Sequence, residues 1–339
     1  MGVLHVATPG LKVHKRGGQV QVVRPSDGSV VARLPIEQLK ALVLHPGAET
    51  TTRLLYTLLR NACPVFFIDR DKVWVLSSGT HPGAAQLIQQ VERSKDPAFR
   101  LNMARFFVEA KLRSQATYLE LRARRSTVRR EGCAEIHREA TKALLMRAEE
   151  AHGVQSIGKL RGIEGAASAL YFRALACGWQ RYGFRGRRRN PPTDLVNAAL
   201  SYGYALLRAE VIRALIQAEL HIELGLYHET QRGNPSLALD LMEEFRVVAV
   251  DALVGRLVGG HRLGQKHIRP EGEGVFLNDE GRKILTQAFT ARMEEQFILP
   301  EGRKERLQDI VQAQAQSIRD AIIHEKPYRP YHWELGGSS

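Results

Sequence analysis

The sequence predicts an α+β protein: a small β-rich N-terminal domain over residues 1–83, a larger all-helical domain over 84–324, and a tail over 325–339. Three observations carry this. The first stretch alternates apolar and polar side chains with a period of two between Gly-containing turns, as in Gln19-Val20-Gln21-Val22-Val23. From Ala84 the apolar period lengthens to about 3.6, the period of a helix. The length of 339 residues with 44% hydrophobic side chains is ample for one large or two medium domains with cores of their own.

Taken in order, Val3–Ala7 and Leu11–Val13 read as short strands, Gly17-Gly18 as a turn, and Gln19–Val23 as the next strand. Ser26-Asp27-Gly28 turns the chain into a strand over Val30–Leu34, and Leu42–Leu44 follows. Thr50 or Thr51 can cap a Leu-rich helix ending near Arg60. Pro64–Asp69 is apolar enough for a central strand, and Lys72–Leu76 pairs back after an Asp-Arg-Asp turn. Ser77–Gly83 is a linker. Asp96-Pro97 opens a long helix toward Arg125, with Lys111, Arg113, Arg122, Arg124 and Arg125 as its basic side. Further helices are expected over 134–157, 158–181, 193–222, 236–257, 279–297 and 301–323, with residues 269–275 as a loop. The aromatic, Pro-containing tail around Tyr328, Tyr331 and Trp333 is expected to be a loosely ordered strap.

The formal charge of +13 and a pI near 9.9 bias the chain toward polyanions, with DNA or RNA the leading class of partner. Cys63, Cys133 and Cys177 lack CxxC spacing; they are expected to be reduced thiols, and no zinc knuckle is read. No segment has the apolar length of a membrane helix, so a soluble, cytoplasmic protein is expected.

Four constellations concentrate the chemistry. In Gly225–Val250 a helix begins at Pro235-Ser236, with Ser236 as its N-cap, and Leu237, Leu241, Phe245 and Val248 form a core face. Asp240 and Glu243 share a side of it. Carboxylates beside an apolar stripe require a cation, and with His228 just upstream either a divalent metal or Arg246 can supply it. Glu164, between Gly162 and Gly165, reads either as a carboxylate complementing a helix dipole or as a hard oxygen ligand of magnesium or manganese. Arg181, Arg185, Arg187, Arg188 and Arg189, interleaved with Tyr182 and Phe184, suit a surface loop that grips phosphates and stacks on bases. The helix capped by Thr193 carries a polar line of Asn197, Ser201 and Tyr204, either an internal hydrogen-bond network or the wall of a cleft.

Three blocks, LRGIEGAASALYF (160–172), NPPTDLVNAALSYGYALL (190–207) and GLYHETQRGNPSLALDLMEEFR (225–246), carry a resemblance by their order and spacing. The chain resembles the CRISPR-associated integrase/endonuclease family, which inserts spacers into CRISPR arrays, and the likeness covers essentially the whole sequence. It implies a metal-dependent DNA integrase and endonuclease that inserts short duplex DNA by 3′-hydroxyl attack on a phosphodiester. It implies catalytic metal ligands at Glu164, His228 and Glu243 for Mg2+ or Mn2+, with Asp240 shaping the site. Lys111 and Gln115 fall where the family contacts DNA. The partners it implies are double-stranded DNA (prespacer and CRISPR repeat), a second copy through the β-rich domain, and a small ferredoxin-like protein in a heterohexameric complex. The family's C-terminal segment meets that small partner.

Overall fold

The computed structural model describes residues 2–78, 82–125, 131–299 and 302–334. Part of the expected linker (79–81) and the end of the tail (335–339) lie outside the described residues. The N-terminal part contains β1 (Val3–Val6), β2 (Lys12–Arg16), β3 (Gln19–Val23), β4 (Val30–Pro35), β5 (Ala41–Leu44), β6 (Glu49–Thr50), helix α1 (Thr52–Arg60), β7 (Val65–Asp69) and β8 (Lys72–Leu76). Two four-stranded sheets result, in the orders β1-β5-β7-β8 and β4-β3-β2-β6. Hairpins join β2 to β3, β3 to β4 and β7 to β8, whereas β1, β5 and β7 run parallel. Helix α1 provides the crossover from β5 to β7, entered through Thr51, whose hydroxyl accepts from the Leu54 N–H at 3.3 Å.

All four residues of β5 are buried, because the sheet is covered on both faces. Leu42 and Leu44 pack into a small core with Val13, Val20, Leu54 and Leu58. Ala41 and Val43, pointing the other way, join Phe66 and Ile68 in the core of the helical part. One strand therefore belongs to both cores. At the same junction the Tyr202 hydroxyl meets His45 Nδ1 at 2.8 Å and the Thr286 hydroxyl at 3.0 Å.

The helical part comprises α2 (Ala84–Lys95), α3 (Pro97–Arg124), α4 (Glu131–Gly153), α5 (Ile157–Trp179), α6 (Leu195–Gln217), α7 (Ser236–Phe245), α8 (Ala252–Gly259), α9 (Asp279–Glu294) and α10 (Leu307–Ile323). Asp96 caps α3 through the Ala98 and Phe99 N–H groups, with Pro97 in the first turn. Helix α6 is buried on nearly every side and forms the axis on which α7, α9 and α10 pack.

Several local expectations change. The helix expected over 236–257 is interrupted: Arg246–Asp251 form a π-helical turn between α7 and α8. Residues 269–275, expected as a loop, belong to the hairpin of β9 (Ile268–Glu271) and β10 (Gly274–Leu277). A second hairpin pairs β11 (Gln296–Ile298) with β12 (Lys304–Arg306). Asp194 rather than Thr193 caps α6, accepting from the Asn197 N–H at 2.9 Å. Ser236 is the first helical residue and not the cap, and its hydroxyl donates to the Glu229 carbonyl at 2.6 Å.

Cys133 on α4 and Cys177 on α5 are disulfide-bonded, with Cα atoms 5.7 Å apart, so two of the three expected thiols are paired. The turn between α4 and α5 folds these helices against each other, which spacing in the sequence does not reveal. Cys63 is free and buried, and burial pushes its thiol up to about 12. The strap is not loose. Tyr328, Tyr331 and Trp333 are each under 9% exposed: Tyr331 stacks on Phe245 and Trp333 on Tyr118. These aromatics face inward because the apolar area they bury outweighs the ordering of a short segment.

Candidate metal centre and nucleic-acid face

Helix α5 starts at Ile157 with Ser156 as its cap, which puts Glu164 two turns inside the helix. The reading of Glu164 as a first-turn complement to the helix dipole is therefore set aside, since that effect fades beyond the first turn. Gly162 and Gly165 face open space, not a neighbouring backbone. Ser168, one turn on, donates its hydroxyl to Glu164 Oε1 at 2.9 Å.

His228 sits on the loop that enters α7, and Asp240 organises that loop. The Asp240 carboxylate is fully buried and accepts from the backbone N–H groups of Leu226 (2.6 Å), Tyr227 (3.0 Å) and His228 (2.8 Å). Its Oδ1 also lies 2.7 Å from His228 Nδ1. A carboxylate bound by so many donors is an acceptor only, so the Nδ1 of His228 carries a hydrogen and Nε2 is the ring nitrogen left uncommitted. Gly225 is required here, because a Cβ at this position would stand 2.3 Å from the His228 carbonyl oxygen. Asp240 is thus the positioning residue of the imidazole.

Glu243, one turn further along α7, is 4% exposed. Its Oε1 accepts from Arg246 Nε at 3.0 Å. Its Oε2 lies 2.7 Å from Lys111 Nζ as an ion pair, without the alignment of a hydrogen bond. The same ammonium donates to Glu164 Oε1. Burial acts against the charge of Glu243, but Arg246, Lys111 and His228 outweigh it and hold the carboxyl well below the usual range. Burial, reinforced by Glu164, Glu243 and Asp240, pushes the Tyr227 hydroxyl upward. Helices α3, α5 and α7 and the His228 loop therefore converge on one cluster of carboxylates with its own counter-cations.

Among the described residues, no three His, Cys, Asp or Glu side chains stand close enough together to enclose a metal ion as they are. The donor set nevertheless fits one. Two carboxylates already converge on a single cation, Lys111; Glu243 Oε2 has no aligned donor; and the Nε2 of His228 is uncommitted. Hard oxygens with one imidazole suit Mg2+ or Mn2+. Lys111 and Gln115 are buried, 6% and 2% exposed, so neither lies on an exposed basic face of α3; Lys111 points into this site and Gln115 lies one turn further along the helix.

The arginine-rich segment lies beside the centre. Arg181, Arg185, Arg188 and Arg189 are exposed, whereas Arg187 is half-buried. Phe184 is fully buried against Trp179 and Phe172, so it is no platform for a base; Tyr182 remains half-exposed under Arg181. The polar line of α6 serves two purposes. Asn197, fully buried, holds the loop by accepting from the Arg188 N–H and donating to the Gly186 carbonyl. Arg187 donates to Asn197 and to Ser201, each at 3.0 Å. Ser201 and Tyr204 then line a cavity of about 170 Å³ with Arg187, Arg189, Arg208 and Arg246. Asp71, in the β7–β8 turn, reaches its rim.

The π-helical turn ends on a residue that sequence reasoning missed. Asp251 is buried and accepts from the Tyr171 hydroxyl at 2.9 Å and the Tyr204 hydroxyl at 2.5 Å. Burial, only partly offset by those bonds and by Arg246 and Arg187, pushes its carboxyl up to about 6. Asp251 ties α5 and α6 to the end of the turn that carries Arg246. An Asp within a run of Val and Ala was the available signal.

Two acids on one lysine beside an imidazole, linked through Arg246 to an arginine-lined cavity, are an arrangement suited to a class of proteins, the metal-dependent enzymes that act on the phosphodiesters of nucleic acid. The family model for CRISPR associated protein Cas1 matches residues 4–291. The chain belongs to the Cas1 family, the CRISPR-associated integrase/endonucleases. It is 37% identical to CRISPR-associated endonuclease Cas1 1 of Thermus thermophilus over 331 residues, covering 97% of this chain and 98% of that one. It is 30% identical to Cas1 3 of the same organism, covering 98% and 97%. Among solved structures, a casposase bound to integration product has the same fold, with a TM-score of 0.84 at 18% identity over 100% of this chain and 96% of that one. A Cas1 protein from Thermotoga maritima has a TM-score of 0.79 at 20% identity, with full coverage of both chains. The family's activity is that of a divalent-metal-dependent DNA integrase and endonuclease in CRISPR adaptation. Among the described residues no helix is long and apolar enough to cross a membrane.

Proposed function

We propose that Glu164, His228 and Glu243 hold the divalent ion, Mg2+ or Mn2+, with which this chain joins a short duplex to a CRISPR repeat. The observation that carries the reading is the convergence of Glu164 and Glu243 on one buried cation beside an imidazole fixed by Asp240. In the reaction a 3′-hydroxyl oxygen of the incoming strand forms a bond to a target phosphorus. The bond from that phosphorus to the target's own 3′-oxygen breaks. The proton lost by the attacking hydroxyl is balanced by the one gained at the departing oxygen, and the number of phosphodiesters is unchanged. When bound, the ion supplies Lewis acidity, lowering the barrier to hydroxyl ionisation and neutralising phosphoryl charge.

The chain's own residues do the rest. Asp240 keeps the His228 ring in one orientation with Nε2 available. Arg246, locked to Glu243, and Arg187, locked to α6, present fixed guanidinium groups along the cavity where a phosphate fits. Exposed Arg181, Arg185, Arg188 and Arg189 track the backbone of the duplex. With water as the nucleophile the same centre nicks DNA.

The assembly is proposed on the same footing. In a solved Cas6-RT-Cas1--Cas2 complex, 36% of one chain has this fold, at a TM-score of 0.81. We infer a second copy docked through the N-terminal sheets and a small ferredoxin-like partner bound to the resulting dimer in a heterohexamer. Val31, Tyr56 and Trp74, each at least half exposed in the sheet region, favour that face for the second copy.

The test is joining of a 3′-hydroxyl oligonucleotide duplex to supercoiled plasmid with Mg2+ or Mn2+. Glu164→Gln, His228→Asn and Glu243→Gln are each expected to lower joining by about a thousandfold or more while retaining duplex binding in gel shifts. Joining by any of the three at the wild-type rate removes that residue from the metal site.

A further inference from the structure

The acidic centre is already neutralised before any divalent ion arrives. Lys111 and Arg246 stand against Glu164 and Glu243, two cations for two carboxylates, and three of the four groups are deeply buried or nearly so. An ion entering among the same oxygens meets an ammonium that competes for them, and two like charges within a few ångströms in a poorly solvated site repel strongly. Lys111 must therefore leave the carboxylates for the ion to be held.

Lysine suits such a movement. Its charge is compact and rides on a flexible four-carbon stem, in contrast to the forked guanidinium of Arg246. One helical turn along α3 lies Gln115, whose Oε1 is buried and without a hydrogen-bond partner. That oxygen can accept a hydrogen bond from the displaced ammonium, but a neutral amide cannot balance its charge. A DNA phosphate at the neighbouring arginine-lined cavity can.

We propose that Lys111 is a built-in counter-cation that weakens divalent-ion binding in the DNA-free protein and passes its charge to a DNA phosphate when duplex binds, so that metal and DNA bind cooperatively. The proposal rests on reading Glu164, His228 and Glu243 as the metal ligands. It makes Lys111 a positioning residue that guards the centre, so that a DNA-free protein does not carry a fully armed ion. By linkage, the factor by which duplex tightens the ion is also the factor by which the ion tightens duplex.

The experiment measures Mn2+ affinity of the full-length protein by electron paramagnetic resonance, with and without a short duplex. Free-DNA binding of Mn2+ is subtracted using the same duplex without protein. The wild type is expected to bind Mn2+ about tenfold more tightly when duplex is present. Lys111→Gln and Lys111→Met proteins are expected to bind Mn2+ about tenfold more tightly than wild type without DNA, and to gain less than about threefold from duplex. In EDTA both variants melt below wild type, because Glu164 and the buried Glu243 lose the cation they share, and Mn2+ raises their melting temperature more than that of wild type. Equal or weaker Mn2+ binding by the variants, or a duplex effect unchanged by them, overturns the proposal. The wild-type comparison with and without duplex needs no variant to fold, and an absence of coupling there overturns it too. If Glu164→Gln and Glu243→Gln proteins bind Mn2+ as wild type does, the ligand assignment itself has failed. If they lose it while the Lys111 variants gain nothing, only the role of Lys111 has.

Discussion

Asp240 shows how much can rest on one side chain. Its carboxylate collects three backbone N–H groups and one imidazole N–H, all from a loop that otherwise has no reason to adopt this shape. Replacement by Ala leaves three buried donors unsatisfied, and at about 1 kcal/mol or more for each the protein is expected to lose about 3 kcal/mol of stability. Denaturant unfolding of Asp240→Ala checks this, and an unchanged midpoint contradicts it. Asp240→Asn retains one acceptor oxygen and is expected to recover part of the stability but little joining activity, since that oxygen cannot serve both the Leu226 and Tyr227 N–H groups and the N–H groups of His228. At this scale the sequence was informative about the acids and the histidine, because charge on an apolar helix face is expensive and so conspicuous. It placed Lys111 among the DNA contacts and not with the acids. That residue reads as one more cation on a basic helix, although Phe107, Lys111, Ser114 and Tyr118 recur at spacings of four, three and four, which is the stripe that the structure buries. Its partners, Glu164 and Glu243, lie on two other helices, and nothing local announces them.

The elements were legible where they are long and clearly bounded, and poorly so where the backbone departs from a regular helix. Helices α3, α5 and α6 and the β2–β3–β4 meander fall within a few residues of the bounds expected from their length and their flanking turn and cap residues. The π-helical turn over Arg246–Asp251 was not legible, because Val247, Val248, Ala249 and Val250 are buried all round and carry no period to read. The strap was misjudged for the same kind of reason: its aromatics have no repeat, and their sites on α3 and α7 are distant in sequence. Its anchor also titrates. Glu244 is fully buried, accepting from the Tyr328 hydroxyl and the Tyr331 N–H, and burial outweighs both bonds to push its carboxyl up to about 8. The folded state thus favours the protonated acid. That contribution is complete below the ordinary value of 4.5 and is lost as pH rises through about 8. Amide exchange at Tyr331 and Trp333, corrected for intrinsic rate, is expected to lose protection between pH 6 and 9, about one to two units either side of that value. In Glu244→Gln, which cannot ionise, protection is expected to be flat over the same range. An identical pH profile in the two proteins contradicts the anchor.

For the molecule as a whole, the two parts are joined by shared packing more than by charge. Strand β5 feeds both cores, and the buried His45–Tyr202–Thr286 chain crosses between them. Burial lowers His45 to about 3, and the charges of His5 and Arg282 add to this, so the ring stays neutral and the junction does not respond to physiological pH. The β7–β8 turn also meets the helical part, where Arg208 donates to the Asp71 carbonyl and Arg70 to Glu271, bringing Asp71 to the rim of the arginine cavity. A formal charge of +13 sets the long-range attraction to DNA, while the named arginines set where it acts. Those two roles separate in salt. Removing one arginine–phosphate pair flattens the slope of log affinity against log salt by about one. Arg185 and Arg189 are exposed and are tied to no carboxylate among the described residues, so Arg185→Ala and Arg189→Ala are each expected to reduce the slope by about that amount with no change in melting temperature. Arg187 also holds Asn197 and Ser201 in place. Its replacement by Ala is therefore expected to weaken duplex binding more than either exposed arginine does, to lower the melting temperature by a few degrees, and to slow joining even at saturating duplex. Fluorescence-anisotropy titrations of one duplex from 50 to 300 mM salt, about the range over which phosphate-dominated binding changes by orders of magnitude, measure all three slopes. Equal behaviour of Arg187→Ala and Arg189→Ala would show that the loop binds DNA as a diffuse charge and not as the fixed, α6-anchored grip that its hydrogen bonds describe.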